Sequence, residues 1–268
     1  MAEVAFYRDE ALPFLEGKRC TRGDLAYRKH FHEEYSVGLI DSGRTRAWCD
    51  GAVHQVEKGR VISFPPLMLH ACQPESDADW TYSMLFIRPE WMMLSEGGEA
   101  DRLDMPYLPG DGKNAACAAL IRDAMDAISG KGTPLEAETA LIGLVQTLSG
   151  YGRGDRGHAR RPLGERKHAE RVRDYLQTHY MDRVTLEQLE GATGISRFHL
   201  IRLFKRECHL PPHAYQNLLR INHAKAELAK RRPIADIAAE TGFYDQSHFS
   251  RAFARIVGAT PGKYAVSR

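Results

Sequence analysis

Two segments in the last hundred residues repeat each other about 48 residues apart, and this repeat restricts that part of the chain to one supersecondary plan. Leu186-x-x-Leu189-x-x-x-Thr193-Gly194-Ile195 is echoed by Ile234-x-x-Ile237-x-x-x-Thr241-Gly242-Phe243. Each copy is an apolar helix face ending in Thr-Gly, where glycine is free to take a positive φ. A second helix follows each copy, opened by Ser196 in one and Asp245 in the other, both favoured N-cap residues. Those second helices also match, Leu200-x-Arg202-x-Phe204 against Phe249-x-Arg251-x-Phe253. Helix, short glycine turn and helix make a helix-turn-helix, and this chain is predicted to carry two.

The second helices have the chemistry of nucleic-acid readers. In Ser196–Cys208, Leu200, Leu203 and Phe204 share one face, and Arg197, Ile201, Arg202 and Lys205 fall on the other. In Asp245–Val257 the inward set is Phe249, Ala252, Phe253 and Ile256, and the outward set is Gln246, Ser247, Ser250, Arg251 and Arg255. Arginine and glutamine make paired hydrogen bonds to guanine and adenine edges in the major groove. A single amphipathic helix of this kind is ordinarily just a solvated face. Two of them, with turns and caps in register, point to double-stranded DNA.

With these residues in hand, the stretch from about Arg171 to Tyr264 resembles the AraC/XylS family of bacterial transcription regulators. The resemblance rests on Ser196-Arg-Phe-His-Leu-Ile-Arg-Leu-Phe-Lys205, Ile234-Ala-Asp-Ile-Ala-Ala-Glu-Thr-Gly-Phe243 and Pro261-Gly-Lys-Tyr264. It implies a seven-helix DNA-binding domain whose two recognition helices enter adjacent major-groove segments. The residues expected to meet DNA are Arg197, Phe198, Ile201, Arg202 and Lys205 in the first copy. In the second they are Gln246, Ser247, His248, Ser250 and Arg251. Pro211 and Pro212 open a further helix to about Lys230, with Tyr215, Leu218, Leu219, Ile221, Ala224 and Leu228 as its apolar positions. About eighteen residues at ~1.5 Å rise make a rod of about 27 Å, long enough to hold two recognition helices about one DNA turn apart.

Charge divides the chain in the same place. Residues 165–268 hold 18 Lys/Arg against 11 Asp/Glu, a balance of +7, whereas residues 1–164 hold 19 against 24, a balance of −5. The basic half suits the phosphate backbone, so the acidic half is expected to have another task. Cys20, Cys49, Cys72, Cys117 and Cys208 are scattered, odd in number and form no C-x-x-C, which fits a reducing cytosol and excludes a disulfide scaffold. With neither a signal peptide nor an apolar run of membrane length, the expectation is a cytoplasmic protein. Ser149–Gly164 is rich in Gly and Arg, without apolar period, and reads as a flexible linker.

From about Asp24 to Pro89 short alternating strands are separated by turns at Asp41-Ser-Gly43, Asp50-Gly51, Glu57-Lys-Gly59 and Pro65-Pro66. This spacing predicts a sandwich or barrel. Helical spacing follows at Ala115–Ser129 and Pro134–Leu148. The order of landmarks resembles a cupin-type effector domain of the same family, with His30-Phe-His32 as a first motif and Gly59–His70 as a second. Trp80-x-Tyr82-x-Met84-x-Phe86-x-Arg88-Pro89 resembles the strand that closes the sugar pocket in arabinose-sensing relatives. Strand alternation independently puts Trp80, Tyr82, Met84 and Phe86 on one face, to line a cavity or to fill a core.

The fold expected is therefore α+β with two domains. A cupin-like β-barrel with following helices occupies residues 1–148, a linker residues 149–164, and an all-α tandem helix-turn-helix domain residues 165–268. The expected effector residues are His30, His32, Arg46, Trp48, His70, Tyr82 and Met84. Arg46 and Trp48 share one face of the strand Arg44–Cys49; facing inward, Arg46 would need an anionic partner, which a carboxylate-bearing effector supplies, and facing outward it would be solvated. His30, His32 and His70 are candidate metal ligands, with Cys72 as a further soft donor. The cupin pattern, however, places a Glu where this chain has Ser36 or Val37, so no cofactor is expected.

The chain as a whole reads as a non-enzymatic, effector-responsive regulator. Activation through RNA polymerase and homodimerisation are the expected partnerships. A cupin metal enzyme or metal sensor fused to a DNA-binding domain is the rival.

Overall fold

Alternation along Thr81–Ile87 sends Tyr82, Met84 and Phe86 to one side and Ser83, Leu85 and Ile87 to the other, and both sides are covered. A strand covered on both faces must lie inside a layered unit, and the computed structural model places it there. The structure describes residues 3–21, 27–75, 80–95, 107–149, 163–243 and 245–266. They fall in two compact units, residues 1–154 and 155–266.

Among the described residues the first unit carries eight strands: β1 (Val4–Tyr7), β2 (Leu15–Cys20), β3 (Tyr35–Ser42), β4 (Arg44–Cys49), β5 (Ala52–Glu57), β6 (Val61–Phe64), β7 (His70–Pro74) and β8 (Thr81–Ile87). They build an antiparallel five-stranded sheet in the order β1-β2-β8-β3-β6 and a three-stranded sheet in the order β5-β4-β7. Helices α1 (Pro89–Ser95), α2 (Asp111–Asp126) and α3 (Pro134–Ser149) follow, with a π-helical turn Ala127–Lys131 after α2. Leu85 and Ile87 of β8, Val37 and Leu39 of β3 and Leu15 of β2 meet Cys117, Ile121 and Met125 of α2 and Leu141, Leu144 and Leu148 of α3 in one apolar core. The π turn closes on β2 at Gly17, where a Cβ would strike Ile128.

The opposite face of the five-stranded sheet carries the unit's polar chemistry. Register aligns Lys18 of β2 with Met84 of β8 and Met84 with Gly38 of β3, so these three form one row across the sheet. Cys20, Tyr82 and Ile40 form the next row.

The expected barrel does not close. Among the described residues the strands stay in two separate sheets, and β6 shows why. Its free edge is satisfied by other groups: Val61 N–H donates to Asn114 Oδ1 at 2.8 Å and Ser63 N–H to Tyr107 O at 2.9 Å. Pro65 and Pro66, which have no N–H, then end the strand. The outer edge of β7 is paired with coil, through Tyr27 N–H to Cys72 O and a reciprocal bridge between His30 and His70. Strands β1 and β2 lie before the region predicted as sheet.

The second unit holds seven helices among the described residues: α4 (Leu163–Thr178), α5 (Leu186–Thr193), α6 (Arg197–Cys208), α7 (Pro212–Ala229), α8 (Ile234–Glu240), α9 (Gln246–Val257) and α10 (Pro261–Ala265). Gly194 and Gly242 end the first helix of each repeat copy with φ of 72° and 69°. Thr193 Oγ1–H donates to Leu189 O at 2.7 Å, and Thr241 Oγ1–H to Ile237 O at 2.6 Å. The sequence repeat is thus a repeat of bonds. Caps differ between the copies: Thr185 and Gln188 form a capping box on α5, whereas α8 follows Pro233 without a side-chain cap. Asp245 accepts from His248 N–H, but Ser196 occupies the N-cap of α6 without such a bond.

Buried Arg220 on α7 ties the copies together. It donates to Tyr180 O at 2.7 Å, Asp182 O at 2.9 Å and Gly242 O at 3.1 Å. A Cβ on Gly242 would meet that guanidinium at 3.0 Å, so glycine is required there by space as well as by φ.

The expected linker, residues 149–164, lies mostly outside the described residues; Ser149 ends α3, and Leu163 and Gly164 begin α4. No helix among the described residues is long and apolar enough to cross a membrane.

Candidate functional site

The polar face of the five-stranded sheet lines a cavity of about 40 Å³, whose walls include Lys18, Tyr27, His30, His32, Gly38, His70, Cys72, Trp80, Tyr82, Met84 and Phe86. Lys18 is only 6% exposed. Its ammonium donates to Tyr27 Oη at 3.0 Å, and the Tyr27 and Tyr82 hydroxyls share a 2.5 Å hydrogen bond. The same ammonium lies 4.5 Å from the Tyr27 ring centroid and 5.7 Å from that of Tyr82, so aromatic faces help hold the charge in a buried place. Burial raises both phenols well above the usual tyrosine range, and they stay protonated. Trp80 stacks on Tyr82 at 4.6 Å, and its buried Nε1–H has no acceptor among the described residues.

Three imidazoles gather in the same cavity. The ring centroids of His30 and His70 are 4.4 Å apart, those of His30 and His32 4.9 Å, and those of His32 and His70 5.2 Å. His30 Nδ1 lies 2.7 Å from Arg28 O, and His70 Nδ1 lies 2.9 Å from Met68 O. Carbonyls only accept, so both rings carry the proton on Nδ1 and keep the lone pair on Nε2. His70 stacks flat on Phe64 at 3.8 Å, and burial pushes its pKa down to about 4. Burial also pushes the Cys72 thiol up to about 12, so it remains a neutral S–H.

Of the effector residues expected from sequence, His30, His32, His70, Tyr82 and Met84 line this cavity. Arg46 and Trp48 do not. On β4 the inward positions are Thr45, Ala47 and Cys49, which are buried, while Arg46 is exposed and pairs across the strands with Gln55 and Gln73. Trp48 is covered on that outer face by Lys29, 3.6 Å from its ring centroid. The strand period therefore removes Arg46 as the cavity's cation, and Lys18 stands in that role. Lys18 escaped the sequence reading because Leu15-Glu-Gly-Lys-Arg-Cys20 mixes charges with a glycine and shows no clean alternation. Tyr27 escaped because it lies in coil rather than on a strand.

On the second unit, α6 exposes Arg202, Lys205 and Arg206 and buries Leu200, Leu203 and Phe204. Ile201, expected on the outer face, is half-buried and lines a groove with Leu176, Leu189 and Pro211. The side chains of Arg197 and Phe198 lie outside the described residues. Helix α9 exposes Gln246, Ser247, His248, Arg251 and Arg255, half-buries Ser250, and buries Phe249, Phe253 and Val257. The exposed stripe of α6 is thus cationic, and that of α9 mixes amide, hydroxyl, imidazole and guanidinium donors.

Comparison with known proteins agrees with this division. A family described as AraC-like ligand binding domain matches residues 19–145, and one described as helix-turn-helix domain matches residues 189–266. The HTH-type transcriptional regulator YbfI of Bacillus subtilis is 28% identical over 224 residues, covering 83% of this chain and 81% of its own. The HTH-type transcriptional regulator MtrA of Neisseria gonorrhoeae is 34% identical over 85 residues, 31% of this chain and 28% of its own. The crystal structure of ToxT from Vibrio cholerae O395 is similar with a TM-score of 0.56 at 14% identity, over 98% of this chain and 96% of that one. A ToxT structure from Vibrio cholerae strain SCE256 with bound unsaturated fatty acid gives a TM-score of 0.54 at 13% identity, over 100% and 95%. At such identity the likeness is one of fold.

Proposed function

Because the chain belongs to the AraC family of DNA-binding transcription regulators, with a ligand-binding domain ahead of a helix-turn-helix domain, we propose that its effector is a small molecule bearing a carboxylate or a similar anionic group, held at Lys18. The observation that carries this reading is the buried, hydrogen-bonded chain of Lys18, Tyr27 and Tyr82 on the cavity wall. An ammonium, phenolic hydroxyls and the indole N–H of Trp80 supply donors from several sides, and charge-assisted hydrogen bonds to an anion are the strong ones. The ToxT structure with a bound fatty acid has a carboxylic acid as its ligand, which agrees in chemistry.

A volume of about 40 Å³ is far below that of ordinary small-molecule sites, about 300–1,000 Å³, so the effector enters by displacing side chains. Met84 is the wall element suited to move. Its unbranched thioether packs over Gly38 in the space a Cβ would need, and methionine re-packs at low cost. Effector binding then favours a second conformation of the sensor, and acts only through its different affinity for the two.

In this reading Arg202, Lys205, Gln246, Ser247, His248, Ser250 and Arg251 contact duplex DNA, and the protein works in the cytoplasm by binding rather than by catalysis. Transcription is activated through RNA polymerase. Homodimerisation is supported by α3, which exposes Leu135 and, two turns on, Ile142.

Thermal-shift screening of the whole protein against small carboxylates tests the reading. A stabilising carboxylate is expected to lose its effect in Lys18→Met while effector-free DNA binding stays unchanged. An undiminished shift in Lys18→Met would overturn it.

A further inference from the structure

We propose that His30, His32 and His70 form a three-nitrogen site for a divalent first-row transition metal, open on one side to the sensor cavity. One ring nitrogen of each histidine lies within 4.8 Å of those of the other two. Tetrahedral coordination with bonds of about 2.0–2.1 Å spaces nitrogens about 3.4 Å apart, so the rings need to close by about an ångström or a little more.

The orientation of two of the rings matches metal ligation in detail. Ligating histidines typically donate their second N–H to a carbonyl or carboxylate, which fixes the tautomer and raises ligand basicity. His30 and His70 both do so, to Arg28 O and Met68 O, and both keep the lone pair on Nε2. The reciprocal backbone bridge between the same two residues holds their Cα positions together, so the pair is braced by main chain as well as side chain. His32, half-buried against Phe86, completes the set from the same segment as His30.

Space and charge agree. The cavity of about 40 Å³ has room for an ion with one or two waters, each water needing about 10–15 Å³. Three imidazoles suit zinc, copper, nickel, cobalt or iron rather than magnesium or calcium, which take oxygen ligands. Lys18 lines the same cavity, so an anion drawn to the metal enters a chamber that already holds an ammonium. Here the inference joins the effector reading above: the anionic group is a ligand to the metal as well as a partner of Lys18.

Cobalt titration of the chelator-stripped, full-length protein tests the site with the metal alone. One Co²⁺ per chain is expected, with the visible absorption of a nitrogen-bound, low-coordinate ion. His32→Gln, the substitution least exposed to folding failure because its ring is half-buried, is expected to weaken cobalt binding by more than about 100-fold. That is above the 10–100-fold that outer-sphere partners are worth. Lys18→Met is expected to keep the full stoichiometry. His70→Gln adds to the test provided its circular dichroism matches that of the wild type.

No saturable 1:1 binding would overturn the inference, as would binding that survives His32→Gln unchanged. Adding acetate to the cobalt-loaded protein separates the two readings. A metal site whose spectrum and melting point ignore every carboxylate keeps the metal and overturns the carboxylate effector. A carboxylate response indifferent to chelator, with no cobalt bound, keeps the effector and overturns the metal.

Discussion

The two units place their chemistry in opposite settings. The second helices of the two helix-turn-helix copies bury their aromatic residues and display their polar ones: Phe204, Phe249 and Phe253 are inaccessible, while Arg202, Lys205, Gln246 and Arg251 face solvent. The sensor reverses this on one face of its larger sheet, where Lys18, His30 and His70 are among the most buried polar side chains. A surface reader of DNA needs accessible donors and a positive field, and the polar groups it buries, such as Arg220, brace main-chain carbonyls rather than line a cavity. A sensor must desolvate its ligand, so its polar groups pass the cost of burial on to hydrogen bonds such as Lys18–Tyr27 and His70–Met68. Burial drives the tyrosine, cysteine and histidine shifts in the sensor cavity, and those of Tyr215 and Cys208 in the second unit, where hydrogen bonds from Lys230 and Arg232 instead lower Glu227 and Arg232 lowers Glu240.

Salt should separate the units most widely. Residues 165–268 carry the +7 balance, and neutralising six to ten phosphates makes affinity fall by about 10³–10⁵ between 50 and 200 mM salt. Fluorescence anisotropy of labelled duplex DNA with residues 165–268 checks this, with residues 1–148 as the acidic control. Comparable DNA binding by the acidic unit would break the comparison at its root.

Truncating a repeat anchor comes next. Phe204 packs edge-on to Tyr215 at 5.6 Å, and Phe253 meets Phe249 at 5.6 Å and Tyr264 at 5.4 Å. Phe204→Ala or Phe253→Ala should cost about 3–5 kcal/mol and abolish DNA binding, while a carboxylate still shifts the melting of the sensor. A wild-type melting profile would mean that these rings carry no packing load.

Acid should unfold the units in a fixed order. His70 titrates at about 4 in the folded chelator-treated protein and near 6.5 when unfolded, so the folded state binds fewer protons between those values. Its contribution is complete above about pH 6.5 and is lost as pH falls toward 4, about 3 kcal/mol in all. In the second unit, hydrogen bonds from Lys230 and Arg232 hold Glu227 down to about 2, and Arg232 also holds Glu240 low. That contribution is present above about 4.5 and lost only below it. Near-ultraviolet circular dichroism should therefore show the sensor melting first as pH falls, and the reverse order would refute the assignment.

Legibility in the sequence tracked the same contrast. The second unit was readable because its rules are local: Thr-Gly at a fixed interval prescribed the left-handed turns, and helical periodicity marked Leu200, Phe204, Phe249 and Phe253 as core. Ile201, read as outward, is half-buried beside a groove it lines with Leu176 and Leu189, residues the α6 sequence alone does not show. In the sensor the stripe Trp80, Tyr82, Met84 and Phe86 and the three histidines were legible, since alternation and turn residues are local too. Three features were not. The direction of β4 needed its neighbours, so the side of Arg46 stayed open until Thr45, Ala47 and Cys49 were seen buried. Lys18 carried no local signal, because its hydrogen-bond partner Tyr27 lies 9 residues away in coil. Barrel closure depended on what meets the edge of β6, which proved to be Asn114 and Tyr107.

The smallest and most discriminating effect concerns the two repeat copies. Arg202 and Arg251 occupy matching positions, both exposed, yet Arg202 has Lys205 and Arg206 beside it and Arg251 has Gln246 and Ser247. A guanidinium among other cations is well placed to grip phosphate, and one beside an amide and a hydroxyl is well placed to read base edges. Arg251→Ala should then cost about 1–3 kcal/mol on the preferred site and relax preference at one or two base pairs. Arg202→Ala should cost less, act on all sequences alike and lower the salt slope by about one. Selection of bound sequences from a random pool, with salt titrations on both variants, measures this difference. If both substitutions relax sequence preference at half-sites about one turn apart, the copies are equal readers, and α6 and α9 differ only in the charge around them. If neither does, both arginines are phosphate anchors, and the base-reading role passes to Gln246, Ser247 and His248 on α9.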